Sequence, residues 1–311
     1  MTVRVGSLCT GIGGLELGLR LAGVDAETVF VSDIDTGACE WLSARMPGVP
    51  NLGDFTALDR LPDVDVLTAG FPCQPVSTAG KRKGVDDDRW IWPHIVRLAG
   101  AAERLPVLFV ENVPGLLTAN GGAAFGDVVH SLAEVGYRLS YGTLAAGAVG
   151  APHRRIRWFG VAYPADSEGF GQEWGGASRA GGGYGFANSS DPVADPSCAE
   201  WRAPQPQGVG ASVGAAAESG ECGSSNAARF GEYAPAVDRW ERVLGRPAPD
   251  PASEGRLNAP FVEWMMGFPE GWVCDVQPSR GKALRMLGNA VVPQCAAEAF
   301  VLLTERLSDG S

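Results

Sequence analysis

No run in this 311-residue sequence approaches the ~18 consecutive apolar residues that cross a bilayer. The opening stretch, Met1–Thr10, has none of the longer apolar core of an export signal. A cytoplasmic protein without a membrane partner is the expectation. Also missing are a Cys-x-x-Cys pair and any Cys/His cluster. The seven cysteines (Cys9, Cys39, Cys73, Cys198, Cys222, Cys274 and Cys295) are odd in number and scattered, which points to neither a disulfide framework nor a zinc site. Most then act as small buried hydrophobes, and no metal is expected. Positive charge is scarce as well: 25 Lys and Arg against 36 Asp and Glu leave a net charge of −11. Nucleic-acid binders ordinarily carry a basic footprint, so the sum argues mildly against that partner. Local clusters matter more, because salt screens charge over about 10 Å. Two stand out, Lys81-Arg82-Lys83 and Arg154-Arg155-x-Arg157.

What is present is apolar mass. A hydrophobic content of 45% with 20% charge suits one large domain, or a large and a small one. From residue 3 to about 160, β-like runs alternate with helical patterns. Arg4–Leu8, Glu27–Ser32, Asp65–Ala69, Val107–Val110 and Arg157–Ala162 read as strands, and Leu15–Ala22, Ile91–Glu103 and Phe125–Val135 as helices. Such alternation predicts an α/β fold, a mostly parallel sheet with helices on both faces. After Tyr163, and through Tyr233, Gly, Ser, Ala and Pro crowd out aliphatic residues. A faint repeat sets Ala165-Asp166-Ser167-Glu168 against Ala194-Asp195-Pro196-Ser197. That composition suits an insertion or a small long-looped domain. Order returns near Tyr233, with helices expected at Phe261–Met266 and Cys295–Leu307. This C-terminal piece is too small to fold alone and should pack back onto the first domain.

Four segments fall where chemistry is expected. Ser7-Leu8-Cys9-Thr10-Gly11-Ile12-Gly13-Gly14 lies where the first strand passes into a helix, so backbone N–H groups can face a ligand. Asp33 follows at the end of the second strand, where a carboxylate can accept the hydroxyls of a ribose. A nicotinamide fingerprint would need glycine where Glu16 stands. Ala69-Gly70-Phe71-Pro72-Cys73-Gln74-Pro75 leaves the strand ending at Ala69, which places Cys73 like a reacting group. Glu111-Asn112-Val113 leaves the next strand; a buried carboxyl there can hand a proton to a ring nitrogen. His153-Arg154-Arg155-Ile156-Arg157 enters a strand, on which Arg155 and Arg157 would share a face.

In this order, with Gly288-Asn289-Ala290-Val291-Val292-Pro293 near the end, the segments resemble the DNA cytosine-C5 methyltransferase family. The resemblance covers about residues 3–162 and 255–305. It implies a Rossmann-like S-adenosylmethionine-dependent methyltransferase sheet with a loop-rich target-recognition domain inserted before the C-terminal return. The divisions are a catalytic domain at 1–162, a variable recognition region at 163–255 and a returning segment at 256–311. S-adenosylmethionine is the implied cofactor, double-stranded DNA the partner and a monomer the state. Cys73 would add to carbon 6 of a flipped-out cytosine, Glu111 would serve N3, Arg157 would hold O2, and Arg155 would support the loop and the DNA backbone. Asp33 would bind ribose, Ile34 pack on adenine, and Asp54 and Phe55 contact the adenine edge and face. Gly11, Ile12, Gly13 and Gly14 would line the methionine part; Cys9, Gly70, Pro72, Asn289 and Ala290 complete the cofactor set. Gln74, Ser77, Lys81, Arg82, Lys83 and Arg89 would belong to a loop that closes on DNA.

The sequence departs from the family pattern at several points. Cys9 stands where Phe is frequent, His153 where Gln is commoner, and Ile156 where Glu is common. The usual Arg-x-Leu-Thr-x-Arg-Glu element is reduced to Arg256-Leu257-Asn258-Ala259-Pro260-Phe261. The tRNA-directed branch of the family is the alternative, though it typically has Pro-Pro-Cys where this chain has Phe71-Pro72-Cys73. A catalytically silent DNA-binding relative is disfavoured by retention of Cys73, Glu111 and Arg157, and a generic Rossmann oxidoreductase stands further off.

Overall fold

The computed structural model describes residues 2–72, 90–166 and 224–308. Cys73, Gln74, Ser77, Lys81, Arg82, Lys83 and Arg89 therefore lie outside the described residues, as do residues 167–223 with most of the faint repeat.

Six strands form one sheet: β1 (Val3–Leu8), β2 (Ala26–Ser32), β3 (Val66–Gly70), β4 (Val107–Asn112), β5 (Tyr137–Ala145) and β6 (Ile156–Pro164), in the order β2-β1-β3-β4-β6-β5. The first four run parallel; β6 is antiparallel to both β4 and β5. Strand side chains alternate between faces, and here both faces are covered. Val66, Val107 and Phe109 enter one apolar cluster, while Leu67, Leu108 and Val110 enter the other. That is why the strands read as nearly unbroken apolar runs.

Helices α1 (Gly14–Leu21) and α2 (Thr36–Arg45) precede β3; α3 (Trp92–Gly100) and α4 (Ala123–Glu134) flank β4. The described C-terminal part adds α5 (Ser224–Phe230), α6 (Ala234–Leu244), α7 (Ala259–Met265), α8 (Arg280–Asn289) and α9 (Pro293–Ser308). Helix α9 lies along α1. A Cβ placed on Gly18 would come within 2.5 Å of the Ala296 methyl, so glycine at 18 is what lets the two backbones approach. Phe300 of α9 meets Phe109 of β4 edge-on at 5.2 Å. The stretch Arg280–Arg306 is apolar enough to resemble a membrane span, yet 67% of its most apolar window is buried in this packing. Val237 and Trp240 of α6 enter the same cluster as Val66 and Phe109. Val237 and Trp240 thus share the apolar cluster that covers one face of the sheet.

Besides helices α5, α6 and α8, which the sequence reading does not predict, three elements of the N-terminal part differ from expectation. Strand β4 runs on to Asn112, which carries Glu111 and Asn112 into the sheet. Strand β5 has the polar, half-exposed pattern of a sheet edge and lacks the apolar run of the others. Helix α2 has little apolar periodicity; Asp35 starts it by accepting the N–H groups of Gly37 and Ala38 at 2.9 and 3.3 Å.

Candidate active site

From β1 the chain crosses to β2 on one side, then returns to β3 on the other. Their carboxyl ends diverge around a crevice, the place where open α/β sheets bind ligands. A cavity of about 760 Å³ opens there, within the range of small-molecule sites.

Its first wall is the turn from β1 into α1. Cys9, Gly11 and Gly13 have φ of 52°, 58° and 70°, and these left-handed steps coil the chain tightly. An added Cβ on Gly11 would meet nothing within 4 Å, so this backbone faces open space and glycine is needed for its φ. Burial, reinforced by Asp33 and Asp54, pushes the Cys9 thiol well above its ordinary pKa, so the side chain stays neutral. Cys9, Gly11, Ile12 and Gly14 line the cavity; Gly13 instead caps α1, where an added Cβ would lie 3.1 Å from the Trp41 ring.

The second wall is the end of β2. Asp33 accepts the Gly11 N–H at 2.8 Å and the Asp35 N–H at 2.9 Å. Burial raises its pKa, and those same N–H groups oppose the rise. Ile34 is 74% exposed, an anomaly for isoleucine beside a cavity unless an apolar face covers it. Asp54 accepts from the Thr56 hydroxyl and N–H, which lower its pKa, and Phe55 is buried beside it.

Gly70, Pro72, Glu111 and Arg157 make the third wall. Glu111 and Arg157 pair at 2.9 Å, with side chains 13% and 19% exposed. Burial raises the Glu111 pKa, against the opposing pull of Arg157 and then Arg155. The result is a carboxyl that holds its proton more readily than one in water, beside a fixed guanidinium. Asn112 donates to the Phe71 carbonyl at 3.3 Å and so braces the backbone just before Pro72. Cys73, the expected nucleophile, lies outside the described residues. Arg155 precedes β6 and does not line the cavity; its guanidinium donates to the Ala290 carbonyl.

The fourth wall comes from the C-terminal part: Asn289 and Ala290, with Arg285 ion-paired to Asp35 at 2.7 Å. Behind it, the Trp272 indole donates to the Ile12 carbonyl at 2.9 Å, and the Trp272 carbonyl accepts from the Trp41 indole at 2.7 Å. Glu263 fixes this turn by accepting the N–H groups of Gly271, Val273 and Cys274 at 2.7, 2.6 and 3.0 Å. Sequence reasoning missed Glu263, Trp272, Arg285 and Glu16. Glu16 carried a signal, an acid set among Leu15, Leu17 and Leu19 in a leucine-rich helical stretch.

Comparison with known proteins supplies the context. The S. pombe Dnmt2 methyltransferase has a similar fold, with a TM-score of 0.60 and 18% identity over 98% of this chain and 99% of that one. The Entamoeba histolytica methyltransferase EhMeth gives 0.61 and 14%, over 99% of each chain. In sequence, the Type II methyltransferase M2.BsuMI of Bacillus subtilis is 37% identical over 159 residues, 50% of this chain and 40% of the relative. The Type II methyltransferase M.MspI of Moraxella sp is 36% identical over 160 residues, 50% of this chain and 37% of the relative. The match therefore spans less than half the length of these two relatives. Residues 3–176, more than half of the chain, match the model of the C-5 cytosine-specific DNA methylases, and the chain belongs to that family.

Proposed function

We propose that this protein transfers a methyl group from S-adenosylmethionine to carbon 5 of cytosine in duplex DNA, with Cys73 as a transient nucleophile. The observation that carries the reading is the largely buried Glu111–Arg157 pair on the wall of the same cavity that the glycine turn lines.

The residues present fit the cofactor. Gly11 leaves open space over its backbone, Asp33 offers carboxylate lone pairs at the end of β2, and Ile34 exposes an apolar surface that a flat base would cover. Asp33 would hold ribose, Ile34, Asp54 and Phe55 the adenine, and the turn at residues 9–14 with Asn289 and Ala290 the methionine end. When bound, S-adenosylmethionine supplies an electrophilic methyl group.

Carbon 5 of cytosine is a poor nucleophile until the ring is made electron-rich. The Cys73 thiolate would form a bond to carbon 6, moving the ring's π electrons toward N3. Glu111, whose pKa burial raises, would donate a proton at N3, so that addition gives a neutral enamine. Arg157, already fixed by Glu111, would hold O2. Once carbon 5 has taken up the methyl group, loss of its proton to water, departure of the Cys73 thiolate and return of the N3 proton to Glu111 would restore the aromatic ring. Carbon 6 is inaccessible in a stacked duplex, so the cytosine would be flipped out. We assign Gln74, Ser77, Lys81, Arg82, Lys83 and Arg89 to a loop that closes on DNA, Arg155 to bracing through Ala290, and target recognition to the 163–255 region. With few basic residues overall, affinity would rest on such local contacts and fall steeply with salt.

The test is incubation with labelled S-adenosylmethionine and mixed-sequence duplex DNA, with tRNA in a parallel reaction. Label in 5-methylcytosine of DNA is expected; label in tRNA alone would move the assignment to RNA. Cys73→Ala should abolish transfer, and an active variant would sink the mechanism. DNA carrying 5-fluorocytosine should trap a covalent adduct, because fluorine cannot leave carbon 5 as a cation.

A further inference from the structure

Glu16 is an acid where packing alone would place a hydrocarbon. It sits in the first turn of α1, 3% exposed, with Leu15 and Leu19 beside it in the core. One carboxylate oxygen accepts the hydroxyl of Thr68 on β3. The other, Oε2, is buried without a hydrogen-bond partner among the described residues, and the side chain lines the cavity. Neighbouring acids on that cavity are engaged: Glu111 with Arg157, Asp35 with Arg285, and Asp33 with the N–H groups of Gly11 and Asp35. A buried carboxylate oxygen left unpaired is unfavourable, and a cation with N–H donors relieves it best.

We propose that Glu16 anchors the α-ammonium group of the cofactor's methionine end, an inference that rests on the cofactor reading above. The chemistry selects that group. An ammonium carries full charge and N–H donors, whereas the sulfonium has charge without donors and the adenine amino group has donors without charge. The same turn supplies the opposite sign: the first N–H groups of a helix have no acceptor within it, and those of α1 suit the methionine carboxylate. A zwitterion would thus meet Glu16 with its positive end and the helix start with its negative end. Glu16 is a binding residue in this account and takes no part in the reaction at cytosine.

The experiment is calorimetric titration with S-adenosylhomocysteine and its desamino analogue, which differs only in lacking the amino group. Wild type should bind the analogue about tenfold more weakly, the scale of one well-placed charged hydrogen bond. In Glu16→Gln, S-adenosylhomocysteine should lose about that factor while the analogue is unchanged, so the gap closes. Equal weakening of both ligands, or none, overturns the proposal, because a purely structural role for the Thr68 contact cannot distinguish them. If Glu16→Gln does not fold, Glu16→Asp draws the charge back and must likewise weaken S-adenosylhomocysteine more than the analogue. Wild-type protein that binds neither ligand would remove the cofactor reading as well, and that result is distinct from equal weakening by the variant.

Discussion

The two sides of the cavity are held in different ways. On the N-terminal side, the ends of β3, β4 and β6 present charge, with Glu111 and Arg157 buried together at 2.9 Å. The C-terminal side works mainly through backbone groups: Glu263 gathers three N–H groups, and Trp272 reaches the Ile12 carbonyl. The first side holds groups that can react, and the second fixes where the first wall stands. A charge pair fails when one partner is lost, whereas a hydrogen-bonded turn fails in increments.

That contrast can be broken experimentally. The largest stability effect should come from Arg157→Ala, which leaves Glu111 buried without its ion-pair partner; a loss of about 3–5 kcal/mol is expected by denaturant titration. Adding Glu111→Gln should restore part of it, since an amide carries no charge to bury. Glu263→Gln comes next, at about 1–3 kcal/mol, because its amide nitrogen cannot accept the N–H groups the carboxylate took. Trp272→Phe keeps ring packing and removes one donor, costing about 1 kcal/mol. Its clearer readout should be weaker S-adenosylhomocysteine binding, since the freed turn lines the cavity proposed for the cofactor.

The smallest effect concerns pH. The folded-state pKa of Glu111 is raised above 4.5, so its stabilising share is present below that value and is lost as pH climbs through the raised one. The stability of wild type relative to Glu111→Gln should therefore fall as pH rises from 4.5, measured by urea titration at several pH values. A rising difference would show that Arg157 outweighs burial.

Legibility in the sequence followed burial. Strands β1 to β4 are covered on both faces, so their apolar runs announced them, and their ends marked Asp33, Gly70 and Glu111. Strand β5 is half exposed at an edge and has no such run to mark it. Glu263 and Trp272 were hidden for another reason. Their partners are backbone groups, some far away in sequence, and backbone groups have no residue-type signature. The eroded Arg256–Phe261 element drew attention just N-terminal to Glu263, which does the holding. Glu16 was legible only as a misplaced charge.

The hydrogen bond from Trp272 to Ile12 spans 260 positions of chain. During vectorial synthesis the glycine turn is made well before Trp272, and its brace forms only after 260 further positions have been added. Closing so large a loop is slow compared with forming β1 and α1 locally. A nascent chain stalled before Trp272 would hold the family's most recognisable turn without the contact that fixes it. Cofactor affinity acquired late in translation would therefore report that the two sides have met.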